Sequence, residues 1–182
     1  DAGSGVAVLM EIARALKAQP TSIGVDLILF DAEDYGQPMP SKYPHMEDSY
    51  CLGSQYWSKN KHRADYVAYY GILLDMVGGK NAQFCREAFS MQYAPSIVQQ
   101  VWASAGELGY GNYFMDCDAG GITDDHYYVN KLAQIPMIDI IDYRPNSGFG
   151  AFWHTKNDNI DIIDKKTLKA VGQTLLKVAY NQ

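Results

Sequence analysis

The stretch Ile23-Gly-Val-Asp-Leu-Ile-Leu-Phe30, followed directly by Asp31-Ala-Glu33-Asp34, decides the fold class. Its first eight residues are mostly apolar with little alternation, a pattern typical of a strand buried on both faces in a largely parallel sheet. The acidic residues that follow stand at the carboxyl end of that strand, where α/β folds place their chemistry. The stretch therefore predicts an α/β fold with an acidic site at one edge of its sheet.

Further apolar and helical segments extend this pattern along the chain. Two more strands are predicted, Tyr66-Val-Ala-Tyr-Tyr-Gly-Ile-Leu-Leu74 and Ile135-Pro-Met-Ile-Asp-Ile-Ile141. Helical spacing and helix-start signals predict helices over residues 6–17, 52–62, 95–108 and 165–180, and a short one from residue 124. Loops are predicted over residues 35–50, 109–123 and 142–154. Alternating helices and strands favour a mixed or mostly parallel sheet, and no domain boundary interrupts residues 1–182.

Composition narrows the class of protein. The chain has 182 residues, of which 47% are hydrophobic and 20% charged, an ordinary globular composition. The net charge is −6 and no basic stripe appears, which argues against nucleic acid as a partner. No apolar run approaches the roughly 18–20 residues of a membrane span. The three cysteines form no CxxC, and their odd number leaves at least one without a partner in this chain, so they do not decide the compartment.

Polar residues gather at the ends of the predicted elements. They are Asp1 before the first helix, Glu33-Asp34, Asp75, Asp124-Asp125-His126 and Trp153-His154. Because carboxylates at the carboxyl ends of neighbouring strands converge in space, like charges collect there and favour a bound cation. A catalytic zinc site needs three protein ligands, one open position and a carboxylate for proton transfer, and this set can supply them.

These motifs, in this order and at these spacings, resemble the zinc-dependent M28 peptidase superfamily, and within it the animal-type glutaminyl-peptide cyclotransferases. The motifs are Asp1-x-x-Ser-Gly, Phe30-Asp-Ala-Glu33-Asp34, Leu73-Leu74-Asp75-Met-Val-Gly78, Asp124-Asp125-His126 and Trp153-His154-Thr155. The resemblance implies a three-layer α/β/α fold with a central mixed, mostly parallel sheet. It also implies that residues 1–182 form one catalytic domain, the C-terminal portion of a longer chain whose N-terminal sheet strands lie outside this sequence.

The resemblance also implies a set of metal ligands. Asp1, Asp34 and His154 match the three residues that hold zinc in the family. Asp34 stands where glutamate is usual, and its shorter side chain must either bring the backbone closer to the metal or bind the metal differently. A single zinc ion suffices for cyclisation.

Catalytic and substrate-binding roles follow in the same way. Glu33 matches the general acid/base, and Asp75 and Asp124 match two acidic residues that hydrogen-bond beside it. Trp153 and Phe149 match aromatic residues that line the substrate pocket. The substrate class implied is peptides with a free N-terminus. The family's peptide-processing members lead us to expect a secreted or periplasmic protein.

Three functions are compatible with these residues. In the first, N-terminal glutamine is cyclised to pyroglutamate with release of ammonia, and Glu33 carries the proton. In the second, an M28 aminopeptidase hydrolyses N-terminal residues with two zinc ions, and Asp75 binds the second ion. Asp124 and Trp153 favour the cyclase, because aminopeptidases usually have a small residue before the Asp-His pair. In the third, the protein is a non-catalytic relative that uses the fold for binding and has a degraded site, and the substitution at Asp34 is the observation in its favour.

Overall fold

The structure, a computed structural model, describes residues 2–182, so Asp1 and its predicted zinc-binding role lie outside the described residues. The α-helices are α1 (Ala2–Ala18), α2 (Leu52–Lys59), α3 (Ala88–Tyr93), α4 (Pro95–Glu107), α5 (Asp125–Tyr128) and α6 (Lys165–Tyr180). The strands are β1 (Gly71–Asp75), β2 (Phe84–Arg86), β3 (Phe114–Asp118), β4 (Met137–Ile141), β5 (Tyr143–Arg144) and β6 (Gly148–Phe149). A π-helical turn, Val129–Ala133, follows α5, and a 3-10 turn, Ile160–Ile162, precedes α6.

The parallel pair β1–β4 lies at the centre of the fold. Every residue of β4 is buried, and Leu73 pairs with Asp139 while Asp75 pairs with Ile141. β2 and β3 form a second parallel pair, and β5 and β6 form a short antiparallel hairpin. The described residues therefore form an α/β fold with mostly parallel strands, as the sequence predicts. Asp75 stands at the carboxyl end of its strand, where a site was expected.

Helix α1 packs tightly on β1 and fixes the loop that follows β1. A Cβ on Gly5 would lie 2.3 Å from the carbonyl oxygen of Leu74, so only glycine permits this approach. The amide of Val77 donates to Oγ of Ser4 over 2.9 Å. Asp75 is thus held between strand β1 and a loop anchored on the first turn of α1.

The main hydrophobic core lies between this sheet and helices α1, α4 and α6. Its buried side chains include Val8, Ile12, Val98, Val101, Ile138 and Val171. These positions recur at helical spacing in α1 and α4, which is why the helices were predictable from local pattern. Burial of these faces holds the frame on which the acidic residues stand.

The prediction of a strand over residues 23–30 is wrong. No strand pairs with this segment among residues 2–182, and Leu27 and Leu29 are 40% and 65% exposed. An apolar run indicates a tendency to be buried, but only a neighbouring strand can supply ladder hydrogen bonds. Ile28 and Phe30 instead line, with Leu73, a mainly apolar cleft of about 220 Å³ between this segment and β1.

Two predicted strands are shorter than expected, and the short strands β2, β3, β5 and β6 fall outside the predictions. Residues 66–70 and 135–136 are not part of β1 and β4. β2 and β3 are only three and five residues long, and β3 lies in a stretch predicted to be irregular. A disulfide between Cys85 and Cys117 joins them, while Cys51 is free and buried. Such short strands depend on tertiary partners and carry little periodic signal of their own.

The helix predictions are confirmed with small shifts at their ends. Asp164 caps α6 through a hydrogen bond to the amide of Lys166, and Pro95 opens α4. Helix α3, which follows β2, was missed. Within residues 2–182, the structure contains no helix with both the length and the apolar character that crossing a membrane requires.

Candidate active site

The acidic segment 31–34 is held by backbone hydrogen bonds to the start of α2. The amides of residues 51, 52 and 53 donate to the carbonyl oxygens of residues 33, 32 and 31 over 2.8, 3.2 and 2.9 Å. A Cβ on Gly53 would lie 2.2 Å from the carbonyl oxygen of Asp31, so the two backbones touch. Ala32 and Cys51 both adopt a left-handed φ of 54°. Such backbone strain persists only where the surroundings fix the chain, and it marks candidate functional segments.

Asp34 and His154 meet across 120 residues of sequence. Nε2 of His154 lies 3.2 Å from Oδ2 of Asp34, and the two side chains are 45% and 52% exposed. His154 itself has a left-handed φ of 54°. The structure therefore brings together two of the three residues assigned to zinc, on the solvent side of the acidic cluster.

This pair fits the requirements of a zinc site. Two ligands of a tetrahedral zinc ion with bonds of about 2.0–2.1 Å lie about 3.3 Å apart. The separation between the nitrogen of His154 and the oxygen of Asp34 is 3.2 Å, and nitrogen and carboxylate oxygen are both zinc donors. The half-exposed position of both side chains leaves room for an open coordination site.

An aromatic row runs away from this pair. The ring of Trp153 stacks on His154 with centroids 4.0 Å apart, and Phe149 stacks on Trp153 at 4.4 Å. Tyr143 meets Phe149 edge-on at 4.8 Å. The strand pair β5–β6 carries the outer two rings, within a stretch that the sequence predicted to be a loop. The stacking orients the His154 ring and forms an apolar wall beside it.

Glu33 has an environment suited to proton transfer. Burial, followed by the charges of Asp34, Asp75 and Asp125, raises its pKa from 4.5 to about 8. A carboxyl group that titrates near neutral pH can both accept and donate a proton during one reaction cycle. Glu33 lies directly before Asp34 in the chain, so the group that titrates near neutrality adjoins the candidate metal ligands.

Asp75 and Asp124 lie deeper in the same cluster. Burial and the charge of Asp124 raise the pKa of Asp75 to about 7. Burial, then the charges of Asp125 and Glu33, raise the pKa of Asp124 well above its ordinary range. Polar side-chain atoms of Glu33, Cys51 and Asp124 all lie within 4.8 Å of one another. The structure thus places both predicted acidic partners close to Glu33.

Sequence reasoning missed two acidic residues behind this cluster. Asp139 lies in β4 and Glu87 directly precedes α3, and both are almost fully buried. Asp139 had a detectable signal, since a charged residue stands inside the apolar run of β4. Glu87 had none beyond its acidity. His126 is fully buried between these two residues.

The arrangement can perform two kinds of chemistry together. Asp34 and His154 can hold a metal ion at the surface of the cluster. Glu33, backed by Asp75 and Asp124, can move a proton beside that ion near neutral pH. The row Trp153–Phe149 offers an apolar face to a substrate group bound next to the metal.

Known proteins resemble this chain over nearly its whole length. Residues 1–179 match Peptidase family M28. A solved Zn-dependent exopeptidase from Parabacteroides distasonis is 54% identical with a TM-score of 0.95, covering 99% of this chain and 62% of that one. A Bacteroides thetaiotaomicron glutaminyl cyclase bound to N-acetylhistamine is 52% identical with a TM-score of 0.94, covering 98% and 61%. A leucine aminopeptidase precursor from the same organism is 52% identical with a TM-score of 0.92, covering 98% and 60%.

The described chain spans about three fifths of the length of these solved relatives. They include a cyclase and an aminopeptidase at equal sequence identity, so overall similarity does not separate the two activities. The match over nearly the whole chain, together with the α/β fold and the acidic site at the end of β1, leads to one conclusion. The chain belongs to peptidase family M28.

Proposed function

We propose that the protein is a zinc enzyme that cyclises the N-terminal glutamine of peptides to pyroglutamate and releases ammonia. The observation that carries this proposal is the proximity of Glu33 and Asp124. Their carboxyl oxygens lie within 4.8 Å of each other in a partly buried cluster, and the pKa of Glu33 is raised to about 8. A carboxyl group whose pKa is held near neutrality by burial and by neighbouring acids suits a proton shuttle.

Asp1, Asp34 and His154 are the residues that we propose hold one zinc ion. Polarisation of the substrate's side-chain amide carbonyl is the chemistry that zinc supplies when bound. The contact of 3.2 Å between Asp34 and His154 supports this assignment. The stacked ring of Trp153 keeps His154 in the orientation that the contact requires.

Glu33 performs the proton transfers in this proposal. It takes a proton from the substrate's α-amino nitrogen as that nitrogen forms a bond to the side-chain amide carbon. The bond between this carbon and the amide nitrogen then breaks, and Glu33 returns the proton so that the nitrogen leaves as ammonia. Burial and the charges of Asp34, Asp75 and Asp125 hold the pKa of Glu33 near neutrality. Its carboxylate is therefore basic enough to take the proton in the first half-step, and the resulting acid can return it in the second.

The apolar row beside the metal ligands selects the substrate. Trp153 is 39% exposed and Phe149 is half-buried against it, so the stacked rings leave an apolar face of ring edges open beside the metal ligands. The aliphatic part of a glutamine side chain fits against such a face while its amide reaches the zinc position. Peptides with a free N-terminal glutamine are therefore the proposed substrates.

Aminopeptidase activity is the second candidate. The half-buried carboxyl group of Asp75, with its pKa raised to about 7, could neutralise its charge by binding a second metal ion. Similarity to a leucine aminopeptidase precursor supports the same possibility. We favour the cyclase because the cluster places an acidic residue, Asp124, next to Glu33 where aminopeptidases usually have a small one.

We further propose that the protein works in an oxidising compartment outside the cytoplasm. The disulfide between Cys85 and Cys117 supports this location, because such bonds persist in secreted and periplasmic proteins.

Ammonia release tests the proposed reaction. Zinc-loaded protein is incubated with a Gln-Xaa-Xaa peptide and with the same peptide acetylated at its α-amine. We expect ammonia from the free peptide only, because cyclisation needs the α-amine as nucleophile. Glu33→Gln is expected to stop the release while zinc stays bound, and Glu47→Gln, an exposed acid, serves as the matched control. Ammonia release at the wild-type rate by Glu33→Gln would refute the assigned mechanism.

A further inference from the structure

His126 lies completely buried behind the acidic cluster. From the sequence, its expected role is to hydrogen-bond the two preceding aspartates and hold the loop. The structure gives it different partners. Its Nε2 lies 3.0 Å from Oε2 of Glu87, and its Nδ1 lies 3.8 Å from Oδ2 of Asp139. The ring therefore joins two buried carboxyl groups from separate elements.

Glu87 determines which ring nitrogen carries the hydrogen. Its carboxyl oxygens accept from the amides of Phe89, Ser90 and Ile122, and from Oγ of Ser90, over 2.6–2.9 Å. Although burial raises its pKa, the hydrogen bond and charge of His126 and these amides lower the pKa of Glu87 to about 2. An ionised carboxylate can only accept, so Nε2 of His126 must donate to it. Nδ1 consequently points the other way, toward Asp139.

The atoms on the Nδ1 side need a shared proton. Among residues 2–182, Nδ1 of His126 and both carboxyl oxygens of Asp139 are buried without a hydrogen-bond partner. Leaving such buried groups unpaired destabilises the fold. Polar atoms of Asp124, His126 and Asp139 all lie within 4.8 Å of one another. One proton between Nδ1 and Oδ2 of Asp139, whichever group formally carries it, pairs these two atoms once they close from 3.8 Å to hydrogen-bond distance.

Asp124 connects this buried set to the proposed base. Its carboxyl group belongs both to the group with His126 and Asp139 and to the group with Glu33. A charge fixed on the His126–Asp139 pair therefore acts on Asp124, and through it on Glu33, in a low-dielectric interior. Other titratable groups facing this region are Asp125 on α5, Asp75 on β1, Glu87 before α3 and Cys51 before α2.

We infer that His126 is a positioning residue. Glu87 anchors its ring, and the ring shares a proton with Asp139 through Nδ1. This arrangement holds Asp124 in place and in the right charge state beside Glu33. The catalytic part of this inference rests on the proposed function, because it takes Glu33 as the base. The anchoring of His126 by Glu87 and the position of its hydrogen do not depend on that function.

Substitution of His126 tests the catalytic part. In His126→Gln the side-chain amide can still donate to Glu87 but cannot reach Asp139, so the anchor is kept and the shared proton is lost. We expect a fall in kcat of about 10- to 100-fold, as for other residues that orient catalytic groups through a hydrogen bond. We also expect a shifted pH profile, an unchanged KM and unchanged zinc content. His62→Gln, which replaces an exposed histidine remote in sequence from His126, is the control.

Two further measurements keep the test decisive. Asp139→Asn leaves His126 in place and should lower kcat similarly, so it decides the matter if His126→Gln does not fold. Imidazole ¹⁵N NMR of the wild-type protein should find Nε2 of His126 protonated, whatever reaction the enzyme catalyses. An Nε2 without hydrogen, or an unchanged kcat and pH profile in both variants, would overturn the inference. Loss of one of two bound zinc ions in His126→Gln would overturn it too, because His126 would then be a ligand.

Discussion

Glu33→Gln is expected to stabilise the metal-free protein at alkaline pH. A rise in pKa from 4.5 to about 8 corresponds to about 5 kcal/mol, at about 1.4 kcal/mol per pH unit. Because Glu33 is only partly buried, solvent screening reduces the realised value to about 2 kcal/mol. The neutral carboxyl stabilises the fold fully below the unfolded pKa near 4.5, and this stability is lost as the pH rises to the folded pKa of about 8.

Urea denaturation of chelator-treated protein at pH 5 and pH 9 measures this effect. The wild-type free energy of unfolding should fall by about 2 kcal/mol more than that of Glu33→Gln between the two pH values. Glu47→Gln, which removes an exposed carboxyl from the following loop, should behave like the wild-type protein. Equal pH dependence in Glu33→Gln and the wild-type protein would refute the claim that the cluster destabilises ionised Glu33.

Three other perturbations test the metal site and its frame. His154→Ala should lower zinc content to near zero in metal analysis after dialysis, and full retention of zinc would exclude it as a ligand. Replacing Cys85 and Cys117 by serine removes a disulfide between residues 32 positions apart, which frees the unfolded chain from a closed loop. The free energy of unfolding measured in urea should fall by about 4 kcal/mol, and no fall would contradict this loop-closure argument. Gly53→Ala, whose new Cβ would press on the carbonyl oxygen of Asp31, should destabilise the protein by about 1–3 kcal/mol and lower turnover, whereas a neutral effect would show that segment 31–34 is not tightly held.

The helical frame could be predicted because its signals are local. The caps and apolar spacing of α1, α4 and α6 lie within single segments, so no tertiary information is needed to recognise them. The strands depend on partners instead. Residues 23–30 have the composition of a buried strand, yet no strand within residues 2–182 pairs with them. Composition indicates that a segment tends to be buried, whereas ladder formation depends on what lies beside it.

The candidate site, like the fold, could be predicted only in part. The order of acidic motifs predicted that Glu33, Asp34 and His154 belong together, and the structure brings the last two to 3.2 Å. The roles given to these residues remain proposals. The buried network of Glu87, His126 and Asp139 could not be predicted, because it forms between elements far apart in sequence. A charged residue inside an apolar strand was its one visible sign.

Mass spectrometry of the peptide products tests the central claim most directly. Zinc-loaded protein is incubated with a Gln-Xaa-Xaa peptide, and the masses of all peptide species are recorded. The proposed mechanism predicts a single product that has lost one ammonia and keeps every residue. Release of free glutamine with a peptide shortened by one residue would contradict it and identify an aminopeptidase.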